Sequence, residues 1–201
     1  MTAQMVRVWD PLVRVVHWLL VIGFVIGYVT EGDPLALHVW NGYMVAALVI
    51  IRVIWGFVGP QHARFTDFVS GPGKVFGYLG GLVRRHSKRY LGHSPAGGAM
   101  TVALLFFLAA ICVTGMMTLA DTVNGGPLAT WFGSPEAAAR AAAEAAGEHV
   151  RYRSPYEEPH DILVNITLIL VILHLAGVAL ASFVHRESLP RSMVTGTKRA
   201  E

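Results

Sequence analysis

Four long apolar runs, at about residues 12–30, 37–58, 98–120 and 161–185, constrain this 201-residue chain more than any other feature. Each approaches or exceeds the roughly 20 residues that a helix needs to cross a hydrocarbon core. In lipid, only helices and closed barrels satisfy every backbone polar group. Charged residues make up 14% of the chain, against about 25% in soluble proteins. Too few charges remain to cover a water-facing surface. The pattern therefore predicts an all-α, integral membrane four-helix bundle, with residues 1–201 forming one membrane domain. The first run is longer than a signal-peptide core, carries an internal histidine and lacks an A-x-A-like site, so it reads as a retained helix.

Basic residues set the orientation. Arg7 and Arg14 precede or open the first run. Arg52, Arg64, Lys74, Arg84, Arg85, Lys88 and Arg89 surround the second-to-third connection, and Arg186, Arg191, Lys198 and Arg199 follow the fourth run. Only Arg140, Arg151 and Arg153 lie on the other side. Both termini are expected in the cytoplasm. In a bacterial host the membrane is then the inner one, and the loop over residues 121–158 is periplasmic. The net charge of +3 and pI near 9.2 would also suit nucleic acid. Here the basic residues cluster beside apolar runs, which points to a lipid surface and to no nucleic-acid partner.

Two connections carry structure of their own. Over residues 72–85, Val75, Phe76, Leu79, Leu82 and Val83 share one helical face, followed by the tract from Arg84 to Arg89. This reads as a cytoplasmic interfacial helix with its basic end at anionic headgroups, against the alternative of a solvated loop. In the periplasmic Ala-rich loop, Ser134 can cap a helix, Pro135 suits its first position and Gly147 can end it. Glu136 and Arg140, and Arg140 and Glu144, are candidate i,i+4 pairs. Such a helix either caps the bundle, offers a docking surface or serves as a spacer.

The single cysteine, Cys112, lies in an apolar run and reads as a small buried residue. There is no C-x-x-C-H, so covalent haem attachment of the c type is excluded, as are cysteine-based zinc and iron–sulfur sites. The histidines are more informative. Ionisable residues inside a membrane usually mark a site, and neutral imidazole ligates iron. Four histidines lie at suitable depths: His17, His38, His160 and His174.

His160 and His174 are fourteen residues apart, about 40° short of whole turns, so they share nearly one helix face roughly 21 Å apart. That is too far for one metal ion, but it suits two flat macrocycles stacked along a bundle. His17 matches His174 in depth, near the inner surface. His38 matches His160, near the outer surface. The four sort into an inner pair and an outer pair, each able to clamp one haem iron. Gly42, four residues after His38, and Gly177, three after His174, remove bulk beside their histidines. Arg14 and Arg52, near the inner surface, are candidate partners for the inner haem's propionates, or else topology signals. His185, nearly on the face of His174, is either a substitute ligand or a snorkelling polar residue. His93 reads as part of a helix-opening turn or as a propionate contact. His62, His86 and His149 read as solvated.

These residues carry a family resemblance. The opening Val8-Trp9-Asp10-Pro11-Leu12-Val13-Arg14-Val15-Val16-His17-Trp18 resembles that of the bacterial cytochrome b561 family, which includes the cytochrome b subunits of nickel–iron hydrogenases. So do the segments that begin at His38, Arg52 and Tyr90, the stretch His174-Leu175-Ala176-Gly177, and the tail from His185 through Lys198. The resemblance covers nearly the whole chain in order. It implies four helices and two b-type haems, held by histidines of the first, second and fourth helices. It also implies electron exchange among a membrane quinone, a redox partner subunit and soluble carriers.

The expected function is transmembrane electron transfer through two bis-histidine haem b groups, between ubiquinone or menaquinone and a periplasmic partner such as a c-type cytochrome. One alternative is an oxidoreductase that oxidises superoxide or another small species and reduces quinone, with Arg151 and Arg153 as cationic approach. A second is a haem-bearing anchor of a hydrogenase or dehydrogenase. A haem-free metal transporter is disfavoured, because the interiors of the runs contain no Asp or Glu. Direction of flow, oligomeric state and enzymatic status are not fixed at this level.

Overall fold

The structure, a computed structural model, describes residues 4–148 and 152–200. His149 and Arg151 lie outside the described residues. Strand β1 (Met5–Arg7) leads into helices α1 (Pro11–Thr30) and α2 (Leu35–Val58). A 3-10 turn (Gln61–Ala63), α3 (Phe65–Phe68) and α4 (Pro72–Val83) precede the long α5 (Pro95–Val123). Then come α6 (Ala129–Phe132), α7 (Pro135–Ala145), the long α8 (Glu157–Val184), α9 (Leu189–Thr195) and strand β2 (Thr197–Arg199).

Helices α1, α2, α5 and α8 are long and apolar enough to cross a membrane. Little of their apolar windows is buried within the protein, from 33% in α2 down to 6% in α8. So much outward apolar surface calls for lipid around it. The helices start earlier than their apolar runs do. α5 begins at Pro95, where Ser94 Oγ accepts from Gly97 N at 3.2 Å. α8 begins at Glu157 rather than near 161, because a proline in the first turn, here Pro159, breaks no hydrogen bond. Glu157 and Glu158 suit the positive end of its dipole.

Two compact units divide the chain: residues 1–106 with 169–201, and residues 107–168. In the first unit, Asp10 caps α1 by accepting from Leu12 N and Val13 N at 2.9 and 3.1 Å. α1 packs against α2 at Gly23, where an added Cβ would lie 2.7 Å from Val45. There Asn41 Nδ2 donates to the Gly23 carbonyl at 2.9 Å. The two ends of the chain meet. β1 and β2 pair antiparallel, with Val6 opposite Lys198, and Trp9 Nε1 donates to Ser192 Oγ at 3.3 Å. Gly196, at φ +82°, makes this approach, since a Cβ there would come 2.9 Å from the Trp9 carbonyl.

The expected helix over residues 72–85 is α4, but its apolar face is divided. Leu82 turns inward with Tyr78 onto Ala181 of α8, while Phe76 and Val83 stay exposed. In the second unit, α7 has the expected ends: Ser134 Oγ accepts from Ala137 N at 3.0 Å, and Gly147 takes φ +85°. The expected pairing of Arg140 with Glu136 and Glu144 is not what forms. Arg140 donates to the Asp121 carbonyl at 2.6 Å and stacks on the Tyr152 ring at 3.5 Å. Tyr152 in turn donates to Asp121 Oδ2 at 2.8 Å. A partly buried carbonyl with an aromatic face holds a guanidinium better than two solvated carboxylates.

Candidate functional site

In the first unit, His17 of α1 and His174 of α8 are half-buried, and His17 lies within electrostatic reach of His174. The His17 ring meets Trp18 edge-on at 5.2 Å. Its buried Nδ1 has no hydrogen-bond partner among the described residues. Beside Gly177, three residues past His174, an added Cβ would meet no atom within 4 Å, and the same holds at Gly42, four past His38.

Polar groups gather at the opening end of α1. Arg52 is 5% exposed, and both terminal guanidinium nitrogens lack a hydrogen-bond partner among the described residues. Its guanidinium lies 5.6 and 6.0 Å from the Phe65 and Phe68 ring centres. Arg14 donates to the Val194 carbonyl, while its buried Nε is unpaired among the described residues. The nearby carboxylate, Asp10, is occupied by the α1 cap and by Trp55 Nε1 at 3.3 Å. Burying a cation with unmet donors costs several kcal/mol. Arg52, left this way, fits an anionic oxygen group, such as a porphyrin carboxylate, and poorly fits a wholly apolar surround.

His93 stands in the turn that opens α5 and belongs to this cluster. Its ring packs on Phe68 at 4.2 Å and edge-on to Trp9 at 4.8 Å. Burial first, then the positive charges of Arg52, His62 and Lys198, pushes its pKa down to about 3. His185 lies past the end of α8, with Nε2 3.4 Å from both Tyr78 Oη and Ser87 Oγ, the snorkelling alternative. His62 pairs with Asp67 at 3.1 Å, and His86 Nδ1 donates to the Arg84 carbonyl at 2.5 Å.

His38, also in the first unit, is held through Nδ1. The Thr30 hydroxyl lies 3.1 Å away and is also within reach of the Ile26 carbonyl at 2.9 Å. The Gly27 carbonyl accepts from the His38 ring. In the second unit, His160 Nδ1 donates to the Ile111 carbonyl at 3.1 Å and lies 3.1 Å from Thr114 Oγ1. Thr114 donates its proton to the Ala110 carbonyl at 2.9 Å. A carbonyl only accepts, so at His160 Nδ1 carries the proton and Nε2 the lone pair. That is how proteins orient a metal-ligating imidazole. At Gly115, an added Cβ would come 3.1 Å from His160 Cε1, a tight contact that the glycine avoids.

Thr30, Gly27, Thr114 and Gly115 were not singled out from sequence. The signal was a threonine next to or near a glycine inside an apolar run. Arg153, one of the two proposed cationic approaches, pairs with Glu157 at 3.4 Å and Asp161 at 3.8 Å. Among the described residues, no three His, Cys, Asp or Glu side chains gather to hold a metal ion. Two histidines suffice where a macrocycle supplies the other ligands.

A family model described as prokaryotic cytochrome b561 matches residues 8–196. The chain belongs to that family. It is an integral membrane cytochrome that transfers electrons across the bilayer on haem b. The cytochrome is 22% identical over 234 residues to a probable Ni/Fe-hydrogenase B-type cytochrome subunit of Bradyrhizobium diazoefficiens, covering 96% of this chain and 86% of that protein. A relative of the same description from Rhizobium leguminosarum is 25% identical, over 97% of this chain and 89% of its own length. No solved structure matches the cytochrome at a significant level.

Proposed function

We propose that the cytochrome holds two haem b groups, with His17 and His174 on the inner iron and His38 and His160 on the outer one. Haem held there would supply one-electron ferric–ferrous chemistry. The observation that carries this reading is the set of imidazoles itself. His17 and His174, from separate helices, lie within electrostatic reach, and His38 and His160 each have Nδ1 beside a protein oxygen, which supports the reading. Arg14 and Arg52 are the residues suited to the inner haem's carboxylates.

The excess of basic residues at the termini and around α4 supports an inner-membrane protein with both termini cytoplasmic. In this reading residues 1–201 work as one membrane domain. Electrons pass between ubiquinone or menaquinone and a periplasmic partner. The names of the curated relatives favour a hydrogenase electron-transfer subunit over a free c-type cytochrome as that partner. The superoxide reading is not favoured, since Arg153 is already paired with two carboxylates.

The test is haem per chain by pyridine haemochrome in His17→Ala, His38→Ala, His160→Ala and His174→Ala variants. Each is expected to fall from two haems to one. A variant that keeps both removes that residue from the ligand set. Copurification with hydrogenase subunits, or its failure, decides the partner.

A further inference from the structure

Helices α4 and α8 end alike. Arg85 follows α4 at φ +58°, and Arg186 follows α8 at φ +49°. In each case the chain closes with a bond back across the last turn: His86 N donates to the Gly81 carbonyl at 2.8 Å, and Glu187 N to the Ser182 carbonyl at 3.0 Å. This left-handed cap position is normally glycine's, because a Cβ is strained there. Both arginines border one cleft of about 530 Å³, together with Ser182, Phe183 and Val184.

Neither arginine makes a side-chain hydrogen bond or ion pair to the described residues. The Arg85 guanidinium lies 5.2 Å from the Phe183 ring centre. The acid next in sequence to Arg186, Glu187, already pairs with Arg89 at 3.1 Å and Lys198 at 3.6 Å. Nor are these cations needed to satisfy the negative end of the α8 dipole. Arg199 does that, donating to the Arg186 carbonyl at 2.8 Å. At α4, His86 serves the Arg84 carbonyl. Around the cleft the surface is apolar: Phe183 is 65% and Val83 74% exposed.

We propose that this cleft between the ends of α4 and α8 is a binding site for the phosphate of an anionic glycerophospholipid, clasped by Arg85 and Arg186. Two planar guanidiniums present paired donors that match phosphate oxygens. The exposed Phe183 and Val83 supply apolar contact for acyl chains, which a free phosphate would not use. That asymmetry selects a lipid over a soluble phosphate ester. The site goes beyond the electron-transfer reading and rests only on the protein lying in a bilayer.

The test uses the haem-loaded protein in nanodiscs of phosphatidylcholine, with or without about 30% phosphatidylglycerol, an anionic lipid. Thermal midpoints are read by tryptophan fluorescence, and retained lipid by native mass spectrometry. The expected result is a midpoint several degrees higher with phosphatidylglycerol, since a ligand of the native state raises it. Arg85→Gly with Arg186→Gly relieves the backbone strain and removes both charges. It is expected to fold, to lose the phosphatidylglycerol shift and to lose the retained lipid. Arg85→Gln with Arg186→Gln should show the same loss. Arg84→Gln with Lys88→Gln removes equal charge outside the cleft and should keep most of the shift. Equal losses in this control, or an undiminished shift in the two cleft variants, would overturn the site in favour of a diffuse surface field. A shift of the same size from soluble glycerol phosphate in neutral discs would overturn the lipid assignment.

Discussion

His38 and His160 differ from His17 in where the protein places its polar groups. At the first two, a threonine hydroxyl and a backbone carbonyl hold Nδ1, so orientation is set by the helices themselves. At His17, Nδ1 is buried without such a partner among the described residues. The polar investment there lies instead in Arg14, Arg52 and His93. One arrangement aims an imidazole; the other arranges positive charge for the acid groups of whatever the imidazole holds. Two haems of one chemical type would then have different potentials, because hydrogen bonding at the ligand and charge near the macrocycle are separate controls.

The largest expected effect that sharpens this contrast is at His174. His174→Ala should remove the inner haem and halve the Soret absorbance per chain, while the spectrum of the outer haem persists. Loss of both haems together would erase the distinction between the pairs. Next comes Arg52→Gln. Reduction adds negative charge, so removing a buried cation should lower the inner midpoint by about 60 mV, a tenfold change for one electron. Redox titration should show the outer midpoint little changed. If both midpoints moved equally, Arg52 would not belong to the inner site.

A smaller effect concerns acid stability. His93 has its folded pKa at about 3, below the ordinary value of 6.5. The unfolded chain therefore binds the proton first, and stability falls as pH drops from 6.5 toward 3. His93→Gln should flatten the decline in thermal midpoint between pH 6.5 and 4.5. An identical decline would show that His93 is not what acid attacks. The smallest effect is Thr114→Val, which keeps shape and removes the hydroxyl, leaving the Ile111 carbonyl as partner. It should retain both haems and move the outer midpoint by about 10 to 30 mV, well under a tenfold change. A comparable shift at the inner haem would break the comparison.

Some of this was readable in the sequence because the causes are local. Spans show as apolar length. α7 showed as Ser134, Pro135 and Gly147, since a cap is satisfied within a few residues. His17, His38, His160 and His174 stood out because imidazole is expensive in lipid. Arg140 misled for the opposite reason. Its i,i+4 carboxylates are its neighbours on the helix, whereas its partners, Asp121 and Tyr152, come from elsewhere in the chain.

The sequence by itself determined that this is a membrane helical protein of the cytochrome b561 family and where its apolar spans run. Those properties follow from hydropathy, periodicity and motif, which are additive along a chain. Only the tertiary structure decided which nitrogen of His160 keeps its proton, that Arg52 is buried with donors unmet among the described residues, and that β1 and β2 pair. Trp9 and Ser192, or Thr114 and His160, meet across large sequence separations. Such meetings depend on how helices pack, and no local pattern encodes the partner.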